Sequence, residues 1–149
     1  MAFFFRQSKN DECPVTLNLR YAIKAEDASD GIETLFYDII LNNGLKVGHI
    51  DLRIGMNEEM YYYGNVGYWV GHLHRGHHYA YYAFIKLFDI AKEEYGLDKL
   101  IITCSPDNIP SYKTLIHLGG KLKETVAVPY NHELYKCGET VKCIFEFKL

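Results

Sequence analysis

From residue 15 onward the chain alternates apolar and polar residues, a pattern typical of half-buried β-strands. Apolar residues occupy every second position of the sequence LNLRYAI, which predicts a strand over residues 15–24. Two further strands are predicted over 33–41 and 45–54. Between them lies Asn-Asn-Gly at 42–44, and because Asn and Gly tolerate positive φ, this sequence indicates a tight hairpin. This part of the chain is therefore predicted to be mostly sheet.

The centre of the chain changes from strand spacing to helical spacing. Residues 60–70 are rich in aromatic and β-branched residues, which predicts a fourth strand. Gly64 and Gly67 within it indicate a bulge or a close backbone approach. Gly96 is a good C-terminal stop for a helix that precedes it. We expect a long helix whose buried stripe has helical spacing and comprises Ala80, Ala83, Phe84, Leu87, Ala91 and Tyr95.

The last part of the chain predicts one more helix among three strands. The apolar run at 99–105 lacks alternation, which predicts a buried strand parallel to the fourth one. A helix follows, capped by Asp or Asn of the sequence PDN at 106–108 and closed by the glycines at 119–120. The last two strands, with a polar aromatic loop at 129–139 between them, are predicted over 121–128 and 141–148.

These elements together predict an α/β fold. The expected core is a mixed, mostly antiparallel central sheet of about six to seven strands flanked by helices. The length of 149 residues fits a single domain spanning 1–149, in which residues 1–13 form a loosely ordered N-terminal segment. Hydrophobic residues make up 48% of the chain and charged residues 23%, a composition typical of globular proteins rather than disordered ones.

Charge and cysteine content exclude several classes of function. The net charge of −3 argues against a nucleic-acid partner, which usually requires a basic face. No stretch approaches the ~20 apolar residues of a membrane helix, and the N-terminus does not resemble a signal peptide. Four scattered cysteines without a CxxC pair do not form a disulfide scaffold. We therefore expect a protein of the reducing cytoplasm without a membrane partner.

The turn between the fourth predicted strand and the long helix is a candidate binding site. It has the sequence RGHHYA at 75–80. A turn at a helix N-terminus presents N–H groups that have no partner inside the helix, together with the positive end of the helix dipole. Such a turn suits a phosphate group.

A cluster of histidines in the same turn offers a second interpretation, a zinc site. The cluster lacks a helical i, i+4 pair, and no carboxylate or cysteine joins it. We therefore predict no metal site. The zinc site remains an alternative, which metal analysis of the purified protein tests. The four residues are His72, His74, His77 and His78.

The turn and its setting resemble the acetyl-CoA site of the GNAT (Gcn5-related N-acetyltransferase) superfamily. The diphosphate loop of that family reads Arg or Gln, two residues, Gly, one residue, then Gly or Ala, between a strand and a helix. Arg75 matches the first position and Ala80 the last, whereas His78 stands where the central glycine usually is. Because that glycine lets the backbone approach the diphosphate closely, His78 must adopt a compatible backbone conformation.

A second segment, NIPSYKTLIHLGG, resembles the other cofactor motif of this family. Asn108, Ser111 and Gly119 match the motif, whereas Gly120 replaces its final Phe. Residues 108, 111 and 115 share one face of a helix, so Asn108 and Ser111 can both face the pantetheine arm or the phosphates. The two motifs occur in the family order, with the expected elements between them.

The resemblance implies an N-acetyltransferase that moves the acetyl group of acetyl-CoA directly to a primary amine of a small molecule or peptide. It further implies that the backbone N–H of Val70, on the fourth strand where that strand splays from the fifth, polarises the thioester carbonyl. A homodimer formed through the last strands is common in the family and is an expectation here. The cofactor-binding residues implied are Trp69, Val70, Arg75, Gly76, His77, His78, Tyr79, Ala80, Asn108 and Ser111.

Several residues are candidates for the acid and the base that move protons in this reaction. The tyrosine that often protonates the thiolate in this family lies seven residues after the asparagine, where this chain has Leu115. Leucine cannot donate a proton, so Tyr112 on the same predicted helix is the candidate acid, and a water molecule is the alternative. Leu115 and His78 also favour a second interpretation, a CoA-binding module without transferase activity. Candidates for the base are Tyr61, Tyr62, Tyr63, Glu58, Glu59, His132 and Glu133.

Overall fold

The computed structural model describes residues 13–149. The predicted N-terminal segment, residues 1–13, therefore lies outside the described residues except for its last member. Within the described range the strands are β1 (Val15–Ile23), β2 (Glu33–Leu41), β3 (Lys46–Ile54), β4 (Val66–Val70), β5 (Lys99–Cys104), β6 (Lys121–Ala127) and β7 (Val141–Lys148). The helices are α1 (Met60–Tyr63), α2 (Tyr79–Glu93), α3 (Ile109–His117) and α4 (Glu133–Lys136), with 3₁₀ turns at Ala25–Asp27 and His72–His74.

The strands of residues 13–149 form two sheets in the orders β1-β2-β3-β4 and β5-β7-β6. Neighbouring strands in both sheets are antiparallel. The predicted α/β fold with about seven mostly antiparallel strands is therefore confirmed, and the strands form two sheets where one central sheet was predicted. The predicted β2–β3 hairpin is also confirmed, because the Gly44 N–H donates to the Leu41 carbonyl and Gly44 has a φ of 87°.

The long helix α2 joins the two sheets into one core. Its buried residues include Phe84, Leu87 and Ala91, as the apolar stripe predicts, and it packs against β1, β3 and β4. Phe88 of the same helix contacts Phe147 of β7, with ring centroids 5.3 Å apart. Burying one such large apolar side chain contributes about 1.5–3 kcal/mol to stability. None of the described helices is long and apolar enough to cross a membrane.

The prediction of one strand over residues 60–70 is wrong in its first half. Residues Met60–Tyr63 form the short helix α1, and only Val66–Val70 form β4. Asn57 starts this helix by accepting the Met60 N–H through its side-chain oxygen at 2.7 Å. Gly64 then ends it with a φ of 78°, a conformation that suits glycine. The Asn57 cap and the close approach of Gly64 to β5 together override the strand propensity of the three tyrosines.

The prediction of a close backbone approach at Gly64 is confirmed. A Cβ added there would lie only 3.0 Å from the Ile101 carbonyl oxygen of β5. The predicted loop at 129–139 differs from expectation because it contains the short helix α4. His132 caps this helix by accepting the Leu134 N–H at 3.0 Å through Nδ1.

Candidate active site

A gap opens between β4 and β5 because these two strands are joined only at one end. Asn65, just before β4, donates its backbone N–H to the Ile101 carbonyl at 2.6 Å. Its side-chain Oδ1 accepts the Ile101 N–H at 2.8 Å. Within the described residues no ladder pairs the two strands beyond this point, and β5 pairs with β7 instead. The two strands thus meet at Asn65 and Ile101 and belong to different sheets, so the predicted parallel relation of β5 to β4 stays a prediction.

The backbone of Val70 faces this gap. Val70 is paired with Gly48 of β3, and the next residue, Gly71, donates its N–H to the Val47 carbonyl at 2.8 Å. Because the N–H groups of successive residues in a strand point to opposite sides, the Val70 N–H points away from β3. The Val70 carbonyl points the same way and accepts a hydrogen bond from Arg75 Nε at 2.9 Å. This orientation is the one that contact with a thioester carbonyl requires.

The turn before α2 keeps the backbone shape of a glycine loop although it contains His78. Gly76 has a φ of 88°, and His78 has a φ of 62° and a ψ of 21°, the left-handed conformation. His78 is the only residue other than glycine with positive φ in residues 13–149. It precedes the first residue of α2 and makes no side-chain cap bond to the helix. The first-turn N–H groups of α2 are therefore not capped by this residue and suit an anionic ligand.

We expect His78→Gly to increase the stability of the protein. A left-handed conformation costs an L-residue about 1–2 kcal/mol, and glycine adopts it without this penalty. Glycine also gains entropy in the unfolded chain, so we expect a net increase of about 0.5–1 kcal/mol in the free energy of unfolding. Urea denaturation measures this change. An unchanged or lower urea midpoint would contradict the strained conformation of His78. Gly76→Ala is the matched control, because it places an L-residue at a positive φ and should lower the free energy of unfolding.

The start of α3 places the second motif beside β4. The side-chain oxygen of Asn108 caps the helix by accepting the Ser111 N–H at 3.3 Å, as predicted. Ser111 is only 4% exposed, and its hydroxyl accepts a hydrogen bond from Tyr68 of β4 at 2.9 Å. Tyr68 is not among the residues that the two motifs imply. Its place one residue before Trp69 in the fourth strand is the feature that could have indicated a site residue. Strand periodicity alone, however, also explains a half-buried tyrosine.

The positions where this chain departs from the second motif are filled by packing. Leu115 is fully buried in the core. Tyr112 packs its ring edge against Phe145, with centroids 5.3 Å apart. A Cβ added at Gly120 would lie 2.4 Å from the Cζ atom of Phe147, so the Phe147 ring occupies the space beside this glycine. A tyrosine at position 115 would overpack the core and destabilise it by about 1–3 kcal/mol.

Two candidates for the base are poorly suited to accept a proton. Burial and a hydrogen bond to Glu124 raise the pKa of Tyr61 to about 12, and its hydroxyl donates to that carboxylate at 2.5 Å. His132 Nδ1 accepts the Leu134 N–H, so Nε2 carries the proton and donates it to the Glu59 carbonyl at 2.9 Å. Tyr61 therefore stays a neutral phenol at neutral pH, and His132 has no free ring nitrogen, so neither side chain suits the role of base.

The other residues implied by the first motif lie around the turn. Trp69 is 49% exposed and stacks on His49, with centroids 5.6 Å apart, on the opposite face of the sheet from Tyr68. The rings of His77 and Tyr79 also stack, at 5.2 Å. Among residues 13–149, no three His, Cys, Asp or Glu side chains come together in a way that could hold a metal ion.

Comparisons with known proteins agree on one family and one fold. The model of the acetyltransferase (GNAT) domain matches residues 5–121, well over half of the chain. A GNAT-family acetyltransferase structure from Bacillus anthracis is 22% identical, with a TM-score of 0.60 over 76% of this chain and 65% of that one. Among curated proteins, no significant sequence match is found.

Two further structures carry more specific descriptions. The Microcin C7 self-immunity acetyltransferase MccE, solved with acetyl-CoA and AMP, is 20% identical with a TM-score of 0.60, over 78% of this chain and 61% of that one. The dodecameric spermidine N-acetyltransferase from Vibrio cholerae is 11% identical with a TM-score of 0.60, over 77% and 64%. These identities establish the fold, and the chain spans less than two thirds of the length of each of these structures.

Proposed function

Because the chain belongs to the GNAT acetyltransferase family, we propose that it transfers the acetyl group of acetyl-CoA directly to a primary amine of a small molecule or peptide. The observation that carries this proposal is the gap between β4 and β5, with the backbone N–H of Val70 directed into it. A backbone donor fixed by a sheet needs no reorganisation when charge develops on a thioester oxygen, which is how an oxyanion hole lowers a barrier.

The residues of the turn fit a diphosphate. The N-terminus of α2 supplies N–H groups from Tyr79 and Ala80 and the positive end of a 15-residue helix. Arg75 contributes a positive charge, and its bond to the Val70 carbonyl fixes the turn to the end of β4. The phosphates and the thioester would thus be held by one connected piece of backbone. Gly76, His77 and His78 shape this turn, and we assign Trp69, Asn108 and Ser111 to the same cofactor site because they belong to the two motifs.

Direct transfer is favoured over a cysteine-bound intermediate. Cys104, the last residue of β5, borders the gap and is the thiol best placed for such chemistry. Burial, followed by the neighbouring Cys143, raises its pKa to about 12. Because the thiolate is the nucleophile, a thiol that keeps its proton at neutral pH is a poor acyl acceptor. The amine therefore attacks the thioester itself.

A CoA-binding module without transferase activity is the second candidate. The observation that favours it is Leu115, which is fully buried where the family often has its proton-donating tyrosine. A chain with an intact cofactor site and no proton donor would bind CoA and release thiol slowly or not at all. Turnover separates the two candidates.

The proposed function is tested by a thiol-release assay with acetyl-CoA and a panel of primary amines. The panel includes spermidine, the substrate named for the Vibrio cholerae structure, and peptides with a free N-terminus. We expect release of CoA that depends on one class of amine, with a mass increase of one acetyl group on that amine. Acetyl-CoA binding without amine-dependent release across the panel would favour the binding module instead.

A further inference from the structure

We propose that Tyr68 protonates the departing CoA thiolate, and that Ser111 positions the Tyr68 hydroxyl for this step. The inference rests on the proposed function, because it assigns a role within the same reaction. The transfer needs a proton donor, since a thiolate is a basic leaving group and its expulsion is faster when it is protonated as the C–S bond breaks. The observation behind the proposal is the hydrogen bond that joins Tyr68 of β4 to Ser111 of α3.

Tyr68 lies next to the place where the thioester would be held. It is two residues before Val70 on β4, so the two side chains point to the same face of the sheet, about 7 Å apart along the strand. Its ring packs edge-on against Phe84 of α2, with centroids 4.9 Å apart. The hydroxyl therefore extends from the strand that carries the oxyanion donor toward the helix that carries the second cofactor motif.

Ser111 fixes the direction of this hydroxyl. The Tyr68 hydroxyl donates to Ser111 Oγ at 2.9 Å, and Ser111 is only 4% exposed. The Ser111 backbone N–H is in turn held by the cap bond to Asn108. The phenol is thus held at two points, by Phe84 at its ring and by Ser111 at its oxygen. To protonate a sulfur atom held beside Val70, the Tyr68 O–H turns from Ser111 Oγ toward the sulfur, and the Ser111 O–H then donates to the phenolate oxygen.

The surroundings of Tyr68 suit a proton donor. Burial raises the pKa of Tyr68 above its ordinary value, so the hydroxyl keeps its proton at neutral pH. The Ser111 hydrogen bond and the positive charge of Arg75 act in the opposite direction, because both stabilise the phenolate. The group is therefore protonated at rest, and its conjugate base has two stabilising partners after the proton has moved.

The other tyrosine near the second motif is less well placed for this role. The Tyr112 ring packs against Phe145 of β7, which is the central strand of the second sheet. The family position is filled by Leu115, a fully buried alkyl side chain. Tyr68 is the tyrosine whose hydroxyl has a described partner on α3 and whose strand also carries Val70.

The step balances without an additional reactant. The neutral amine attacks the thioester carbonyl carbon, a C–N bond forms, and the C–S bond breaks with its electron pair on sulfur. The Tyr68 O–H proton passes to that sulfur and gives the free thiol of CoA. The amine nitrogen loses one proton to solvent, and the Tyr68 phenolate regains one from solvent, so the net change moves one proton from nitrogen to sulfur.

The test compares Tyr68→Phe with the wild-type protein on two acetyl donors, acetyl-CoA and its analogue with selenium in place of the reacting sulfur. A selenolate is a weaker base than a thiolate and leaves without a proton. We expect Tyr68→Phe to lower kcat with acetyl-CoA by about 10²-fold at an unchanged KM for acetyl-CoA. With the selenium analogue the same variant should lose only a few-fold. Ser111→Ala should show a smaller loss with the same dependence on the leaving group.

Tyr37→Phe is the matched control, because Tyr37 is also a buried tyrosine of the first sheet whose hydroxyl bonds to another tyrosine, Tyr95. It should lower kcat equally little with both donors. Equal losses of Tyr68→Phe on the two donors would indicate a structural role and overturn the proposal. The same holds if Tyr112→Phe, and not Tyr68→Phe, shows the dependence on the leaving group. A wild-type protein that releases no thiol with any amine overturns the proposed function, and the role of Tyr68 falls with it.

Discussion

The variant Ala80→Asp should lose affinity for acetyl-CoA by at least about 10²-fold, or ~2.8 kcal/mol of binding free energy. Ala80 is the second residue of α2, at the helix end where the diphosphate is proposed to lie. A carboxylate there repels the two negative phosphate groups at close range. The same carboxylate interacts favourably with the helix dipole, so the fold should be as stable as the wild type or slightly more stable.

The opposite effects on binding and stability make this variant informative. Calorimetric titration with acetyl-CoA measures the affinity, and thermal unfolding without ligand measures the stability. Ala80→Asn is the matched control, because it adds a side chain of the same size without the charge and should lose much less affinity. If Ala80→Asp binds acetyl-CoA as tightly as the wild type, the diphosphate does not lie at the start of α2.

The variant Gly48→Ala should destabilise the protein by on the order of 3 kcal/mol and abolish acetyl transfer. A Cβ at this position would lie 2.1 Å from the Trp69 carbonyl oxygen and 3.0 Å from the Val70 Cα. Both are backbone atoms of β4, so the contact can be relieved only by moving one strand away from the other. The strand that moves carries the Val70 N–H, so the proposed oxyanion donor would move with it.

Urea denaturation measures the loss of stability, and Gly44→Ala provides the comparison. A Cβ at Gly44 has no atom within 4 Å, so this variant carries only the cost of its positive φ, about 1 kcal/mol. Gly48 has no positive φ and owes its effect to the close strand approach alone. A Gly48→Ala midpoint equal to that of Gly44→Ala or higher would show that β3 and β4 do not pack as closely as described.

The regular elements could be predicted because each has a pattern of its own. The apolar spacing of α2 and the Asn-Asn-Gly hairpin are local signals, and the structure confirms both. The short helix α1 could not be predicted, since three successive tyrosines favour a strand. Its formation depends on the Asn57 side chain and on the approach of Gly64 to β5, a contact between residues far apart in sequence.

The candidate site was predictable only where its contacts join residues that are close in sequence. The loop before α2 and the cap at Asn108 follow from short motifs, because their hydrogen bonds join neighbouring residues. The hydrogen bond between Tyr68 and Ser111 joins residues 43 positions apart, and no periodicity indicates it. His132 was a candidate base by residue type alone, and the two bonds that occupy its ring nitrogens appear only in the structure.

Calorimetric titration of the wild-type protein with acetyl-CoA tests the central claim most directly, because every assigned role depends on a cofactor site between β4, β5 and α2. We expect saturable binding of one acetyl-CoA per chain, with a dissociation constant in the range of roughly 1 μM to 1 mM that is usual for enzyme substrates. Pyrophosphate at high concentration should compete for the same site. No heat of binding and no increase in thermal stability at millimolar acetyl-CoA would contradict the cofactor site, and with it the proposed acetyl transfer.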